Sequence, residues 1–466
     1  MTTTEISVAL SGESLITRAL PMAASQDAVS LRRLVSSADV AFTHLEVVCP
    51  TSPLVPRPRS QGIHVHADPR VLDEVRSFGF NLISLAHHHA LDYGASGLME
   101  TIEALGARNL TNSGAGATLS QARRPRYLEV SGVRASLLAA CSTDADETCA
   151  SDPDGLVEGR PGINPLRFKT QYEVTREQLH ALSEIDETLG TAVGSRTRRE
   201  LSLDLGDNAS ESRSDAPRLS FLGLDFVQGP ETRVRTRARP DDVEGIVRWI
   251  SEARRQSDLV IVSLHCHEGP NGTSNSDAVA EFAVDAFHRF VAAGADICVG
   301  HGPHQLGAIE IYEGRPIFHS LGNFIFMVET VELFPAEFLE TAGLPSDATA
   351  ADFHDHRETA PDGSARGFVA TPAYWETVVP ICQFEGGQIT NIDLWPVELD
   401  RGPKRSHRGV PSLASSKTSG EILGRLTRLS EPFGTRIAQV EIDQRRVGRI
   451  AMGSYPRGKT SVFREK

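Results

Sequence analysis

Histidines and glutamates in this chain gather in short clusters that follow apolar, β-branched runs. ISVALS leads into Gly12-Glu13, DVAFT into His44-Leu45-Glu46, and NLISLA into His87-His88-His89. Further on, LVIVSL leads into His265-Cys266-His267, ICVG into His301-Gly302-Pro303-His304, and PIFHSL into Gly322-Asn323. Each run reads as a strand, and in open α/β sheets ligands bind where the carboxyl ends of strands gather their loops. Six strands would thus deliver a metal-competent or hydrogen-bonding group to one end of the fold. One histidine at such a place is ordinarily a packed core residue. Seven or eight of them need partners, and a cation satisfies several buried polar groups at once. Imidazole nitrogen and carboxylate oxygen suit zinc, manganese and iron, while the near absence of thiols from the cluster argues against zinc-cysteine and iron–sulfur chemistry. The expectation is a mixed nitrogen and oxygen site for one or two divalent ions.

Strand periodicity refines the set. Side chains alternate faces, so His265 and His267 share one face and Cys266 points away, while His44 and Glu46 lie on one side with Leu45 turned into the core. The glycine and proline of Gly-His-Gly-Pro-His bend the chain sharply, which lets His301 and His304 approach one locus; both are strong ligand candidates. The sequence leaves open which of His87 and His88 turns inward.

The elements that must hold these groups alternate. ISVAL, DAVSLRRLVSSA, DVAFTHLE, PRVLDEVRSFG, NLISLAHHH and SGLMETIEALGARN read as strand and helix in turn, the signature of βαβ units around a mostly parallel sheet. The pattern stops after ASLLAAC. Residues 142–215 form a polar insertion ending in LGDNASESRSDAPR, too poor in apolar residues to order itself alone. It resumes with DDVEGIVRWISEARRQ and continues through the hairpin-like GAIEIYEGRPIFHSLGNF. A second insertion, 327–370, carries Gly, Pro and acidic residues. WETVVPICQFEGGQITNIDLWPVEL reads as two antiparallel strands joined at Gly-Gly, and ILGRLTRLSEPFG as a closing helix stopped at its glycine. The whole of 1–466 is expected to be a single domain with these two insertions.

Of 466 residues, 40% are hydrophobic and 23% charged, which suits a chain with a substantial core. Lys and Arg total 47 against 61 Asp and Glu, a formal charge of −14, which excludes a long nucleic-acid track held by phosphate contacts. The start, MTTTEISVALSGE, is acidic where a secretion signal is basic, and no run of about 18 apolar residues occurs, so a cytoplasmic protein with no membrane partner is expected. Six scattered cysteines without CxxC pairing argue against a disulfide framework.

SGE near the start, AFTHLE, FNLISLAHHHALDYGASGLMETIEALGARNLTNSGAG, DLVIVSLHCHEG, GADICVGHGPHQLGAIEIYEGRPIFHSLGNF and LTRLSEPFGTRI together resemble the CapA family. These poly-gamma-glutamate synthesis proteins are similar in fold to the calcineurin-like metallophosphatases. The resemblance implies a four-layer α/β sandwich of the metallophosphatase type around a two-metal site. The family's Gly-Asp stands here as Gly12-Glu13, its Asn-Leu-Glu as His44-Leu45-Glu46, its Asn-Asn-His as His87-His88-His89, and its His-Trp-Gly as His265-Cys266-His267. By position, Glu13, Glu46, His88, His265, His301 and His304 would be metal ligands and His89 the residue facing substrate. His44 joins the ligands where an asparagine would be a weaker one. His87, His267 and Asn323 are further ligands or substrate-binding groups. His89 would pass a proton to the leaving group with Asp92, three residues on, orienting it; the competing reading of Asp92 is a helix N-cap.

A divalent ion that lowers the pKa of bound water to about 7 makes hydroxide available at neutral pH, so hydrolysis is the implied reaction class. Lid-sized insertions favour a small, anionic organic substrate cleaved at an amide, lactone or ester bond. One alternative is a phosphomonoesterase or phosphodiesterase, with Arg57 and Arg59 of PLVPRPRSQG clamping the anion, although a solvated loop explains two arginines more simply. Another is a non-catalytic protein of poly-gamma-glutamate synthesis. His354 and His356, in the acidic loop-like ADFHDHRET, are candidates for a second metal site. His64 and His66 read as one strand face near the first. Gly94 and SGAGAT resemble phosphate-cradling loops without the P-loop's Lys-Ser/Thr ending.

Overall fold

The computed structural model describes residues 5–21, 25–60, 62–201, 216–345 and 347–455. Its architecture is mixed α/β, with most strands in two large sheets. In the first, Glu5–Leu15 runs parallel to Val40–Leu45, which pairs in parallel with Leu82–Ser84, and that strand with Thr111–Ser113. Asn323–Phe326 also lies parallel to Glu5–Leu15, and Glu376–Glu385 closes against it antiparallel. In the second sheet Leu259–His265 lies between Val133–Cys141 and Ile297–His301, all parallel, with Arg315–Phe318 beyond. The hairpin expected around Gly386-Gly387 forms from Glu376–Glu385 and Gln388–Leu399, and the closing helix Ser416–Ser430 is followed by a short 3-10 turn that ends at Gly434.

Alternation along these strands decides how the sheets are buried. Val8, Leu10, Val40 and Phe42 of the first sheet pack with Leu137, Ile261, Ile297 and Val299 of the second in one apolar cluster. The residues between them, Ala9 and Ala41, turn the other way, toward Leu31, Val35, Leu72, Leu98 and Leu105 of the helices Gln26–Ser36, Val71–Ser77 and Gly94–Gly106. On the second sheet Val260 and Val262 meet Val243, Ile246 and Ile250 of helix Pro240–Gln256 and Phe282, Phe287 and Phe290 of helix Glu281–Ala293. A fully buried Leu, Ile or Phe contributes about 1.5–3 kcal/mol. A one-residue slip would turn a whole strand's set outward, so the packing fixes register and with it the places where the strands end.

Both polar stretches contain regular structure. Within 142–215 lie the strand Phe168–Val174 and the helix Arg176–Leu189, begun by a Thr175–Gln178 capping box. The strand is joined by Arg218–Phe221, Leu224–Gln228 and Arg233–Ala238 into a four-stranded sheet, so this unit continues past 215. Most of LGDNASESRSDAPR lies outside the described residues. Within 327–370, the helices Ala336–Thr341 and Ala350–Glu358 set Leu339 and Phe353 into the core beside the first sheet. ADFHDHRET is therefore helical where a loop was expected, and His354 and His356 diverge. His354 is buried and donates to the Val331 carbonyl at 3.1 Å, whereas His356 is exposed. Neither belongs to a cluster of potential metal ligands among the described residues. No described helix is long and apolar enough to cross a membrane.

One close approach sets the strand that carries Glu13. A Cβ at Gly12 would fall on the backbone carbonyl of Gly322, against which the Glu13 N–H donates its hydrogen bond at 2.8 Å. Gly12→Ala should therefore destabilise the protein by about 1–3 kcal/mol, the usual cost of overpacking. Urea unfolding with an unchanged m-value measures it; a midpoint equal to wild type would show that the strands separate freely.

Candidate metal centre

The strand ends converge as the sequence suggests, with two corrections of detail. Glu5–Leu15 does not end at Glu13 but passes through it, with register breaks beside it against both parallel neighbours. Such a bulge re-aims a side chain, and it turns the Glu13 carboxylate into the interior. There it accepts the Gly302 N–H and pairs with His304. Gly302 has φ +122°, a conformation L side chains rarely adopt, and a Cβ there would lie 2.6 Å from the Cys266 backbone. Asn323, expected to close a strand, begins one, directly opposite Glu13.

Glu46 is the centre of the cluster. Its Oε1 lies 3.6 Å from His265 Nε2 and 3.8 Å from both His88 Nδ1 and His267 Nε2; its Oε2 lies 3.9 Å from His304 Nδ1. The side chain is fully buried and neither oxygen accepts a hydrogen bond. His265 and His301 are register partners on adjacent parallel strands, and His44 stacks on His301 with centroids 3.7 Å apart. Serine hydroxyls on the adjacent strands set the ring angles: Ser84 at 3.0 Å from His44 Nδ1 and Ser263 at 2.6 Å from His301 Nε2. His267 Nδ1 is held by the Asn275 amide oxygen at 2.6 Å, leaving Nε2 free, and His88 Nδ1 meets His265 Nε2 at 3.0 Å. As periodicity requires, Leu45 and Cys266 point into the apolar clusters.

Three groups of buried ligand atoms result, each with all its atoms within 4.8 Å of one another: Glu46, His88, His265 and His267; His44, His265 and His301; and Glu13, Glu46 and His304. Glu46 and His265 each belong to two. A buried carboxylate that accepts no hydrogen bond is costly, and so are the orphaned Nε2 atoms of His44 and His267. Cations satisfy all of these atoms, so the donor set fits the one or two divalent ions that the sequence suggests.

Electrostatics without a metal separates one histidine from the rest. Burial, reinforced by the neighbouring imidazoles, pushes His44, His88 and His265 well below the ordinary histidine value. Burial takes His87 and His301 to about 3. Burial would also depress His304, but Glu13 and Glu46 outweigh it and raise it to about 9. Burial alone would raise Glu13; the His304 charge beside it holds the carboxyl below its usual value instead. His304 sits at φ +58°, its Nδ1 also 3.0 Å from the Asn323 oxygen. The Asn323 amide nitrogen donates to the carbonyls of His304 and Tyr374, both at 3.0 Å, so this side chain's contacts are spent on holding His304.

His87 and His88 now separate: His88 joins a ligand group, while His87 is buried edge-on to His44 with both ring nitrogens unpartnered. His89 lies beside His88, buried, its Nδ1 2.6 Å from Asp92 Oδ2. Asp92 is not an N-cap. Helix Gly94–Gly106 is preceded by Tyr93 without a side-chain cap, and the Asp92 carboxylate instead accepts from Ser60 Oγ and the Val65 N–H, both at 2.8 Å. Burial would raise its pKa, but His89 and then Arg57 hold it below the usual carboxylate range.

Arg57 is the residue that sequence reasoning discounted. Its Nε lies 3.3 Å from Asp92 and its Nη2 3.0 Å from Asp144, and Nη2 donates to the His88 carbonyl at 3.1 Å. Only Arg59 is the exposed loop residue that was expected of both. Nothing in PLVPRPRSQG distinguishes the two arginines, because their partners come from distant segments. His64 and His66 are not a strand face; His64 donates to the Arg57 carbonyl at 2.9 Å and both rings lie edge-on to Tyr93. Phe368, from the second polar stretch, also escaped notice although its ring centroid lies 5.7 Å from that of His304.

The model of the bacterial capsule synthesis protein family PGA_cap matches residues 7–328. Two uncharacterised proteins of Sinorhizobium fredii are each 31% identical over 432 residues, 91% of this chain and 89% of theirs. The PGA biosynthesis protein CapA of Bacillus subtilis is 24% identical over 265 residues, 57% of this chain and 47% of that protein.

The pKa directions give a pH signature for the metal-free protein. Unfolded histidines titrate near 6.5. The depressed group, His44, His87, His88, His265 and His301, takes up protons on unfolding, so stability should fall as pH drops below about 6.5, by on the order of 1 kcal/mol per histidine per pH unit. The raised His304 contributes stability that is fully present below about 6.5 and lost as pH rises through about 9. Urea midpoints of chelator-treated protein should therefore peak between these limits. A profile flat from pH 5 to 9 would mean that the histidines are not buried together.

Proposed function

Because this chain belongs to the bacterial capsule synthesis protein family PGA_cap, we propose that it is a metal-dependent hydrolase cleaving an amide, ester or lactone bond of a small anionic organic substrate. The observation that carries this reading is the buried carboxylate of Glu46, which accepts no hydrogen bond and is shared by two groups of potential ligands with the His89–Asp92 pair beside them. Glu13, His44, Glu46, His88, His265, His267, His301 and His304 would hold the one or two divalent ions, of the manganese, zinc or iron class. Bound there, such an ion supplies a water of lowered pKa and polarises a carbonyl oxygen. The two sheets, with helices packed on their outer sides, are read as the four-layer sandwich of the metallophosphatase type.

The protein's own groups perform the remaining work. Asp92 holds His89 at Nδ1, which fixes the ring and leaves Nε2 to carry the proton delivered to the leaving group. Ser60, the Val65 N–H and Arg57 hold Asp92 in turn. The choice of a carbon-centred bond over a phosphoester rests on Arg57. Its guanidinium is engaged by Asp92, Asp144 and the His88 carbonyl, which leaves it poorly placed to clamp a phosphoryl group. The family match favours a second reading, a non-catalytic role in capsule polymer synthesis, which would use the same centre to hold structure.

Two measurements test these readings. His89→Asn should keep wild-type metal content and lose turnover by about 10²–10⁴-fold; loss of metal would make His89 a ligand. Metal-loaded protein should hydrolyse members of an amide, ester and lactone panel and leave chromogenic phosphate monoesters and diesters untouched. Phosphoester turnover alone would assign a phosphoesterase, and silence toward both with metal bound would favour the polymer-synthesis role.

A further inference from the structure

Of the three groups of buried ligand atoms, two share Glu46 and one contains no carboxylate at all: His44, His265 and His301. In this group the outer nitrogens are already engaged. Ser84 Oγ lies 3.0 Å from His44 Nδ1 and Ser263 Oγ 2.6 Å from His301 Nε2, and both serines are fully buried. Histidines that ligate a metal hold their second nitrogen in such a hydrogen bond, which fixes the ring and leaves the first nitrogen for the ion. On the inner side remain His44 Nε2, buried without a hydrogen-bond partner, and the Nδ1 atoms of His265 and His301, which face each other at 3.3 Å. Two nitrogens on one tetrahedral zinc ion, each about 2.0–2.1 Å from it, lie about 3.3–3.4 Å apart. His265 Nε2 lies 3.6 Å from Glu46 Oε1, so this ring presents one nitrogen to each side of the centre. His87, fully buried and edge-on to His44, has no partner for either ring nitrogen, so unmet polar demand is concentrated beside this group.

We propose that His44, His265 and His301 form a third, nitrogen-only ion position, distinct from the two that share Glu46, which takes zinc or another late first-row divalent ion and leaves manganese out. Imidazole sets favour the late ions, whereas sets with carboxylates accept manganese. An ion here draws the stacked His44 and His301 rings apart, and His265, ligating on both sides, releases its ring proton to solvent. The inference goes beyond the hydrolase reading: it concerns binding alone and holds whether or not a bond is cleaved.

The test strips the full-length protein with a chelator, reloads it with zinc or with manganese, removes loosely held ions and counts the remainder by plasma mass spectrometry. Wild type should retain three zinc ions per chain but at most two manganese ions. His44→Asn should retain two zinc ions, with its manganese content unchanged. Ser84→Ala keeps every ligand and should weaken the third zinc ion by about 10- to 100-fold in competition with a chromogenic chelator. That variant decides the matter if His44→Asn does not fold, and zinc affinities equal to wild type would overturn the proposal. So would three zinc ions in His44→Asn, three manganese ions in wild type, or fewer than three zinc ions in wild type. Two zinc ions in wild type, unchanged in His44→Asn, would remove the third position while leaving the pair that shares Glu46, and with it the hydrolase reading, intact.

Discussion

Two carboxylates and a crowd of imidazoles are buried where the strands of two sheets end, and the energetic demand of that burial organises the rest of the molecule. Glu13 meets it locally, through the Gly302 N–H and the charge on His304. Glu46 has only the more distant charge of His304, and neither of its oxygens accepts a hydrogen bond. Close packing of apolar side chains between the sheets holds these groups together against their own electrostatics. A compact, less charged interior would cost less, and a bound cation would offset that cost.

The apolar framework was legible because burial leaves a period in the sequence. Val8, Leu10, Val40 and Phe42 alternate with Ala9 and Ala41, and both sets are buried on opposite faces. The same alternation correctly paired His265 with His267 and His44 with Glu46. What escaped were relations between segments far apart. The bulge that turns Glu13 inward depends on how three strands pair, and Arg57 becomes a structural cation only when Asp92 and Asp144 are brought to it. His88 and His87 have the same local pattern; the choice between them is made by which ring meets His265.

The polar stretches misled in a similar way. Low hydrophobicity between 142 and 215 read as a piece that could not order itself, yet its strand Phe168–Val174 pairs with two strands, Leu224–Gln228 and Arg233–Ala238, that both lie beyond residue 215. In residues 327–370, Phe334, Phe338 and Phe353 are adjacent in space and dock the segment beside the core. Ion pairs from Arg405 and Arg408 to Glu329 and Glu358 then tie it to the C-terminal part of the chain.

The bond from Gly302 to Glu13 joins residues 289 positions apart. A contact of that span forms only after most of the intervening chain has found its place, since loop closure over such lengths is repaid late. The groups around Glu46 come from four widely separated segments, so partly folded species present at most scattered imidazoles to a passing ion. Capture of an ion by these groups would thereby be coupled to completion of the topology, and in a growing chain it could not begin until the strands near residue 300 had emerged and docked.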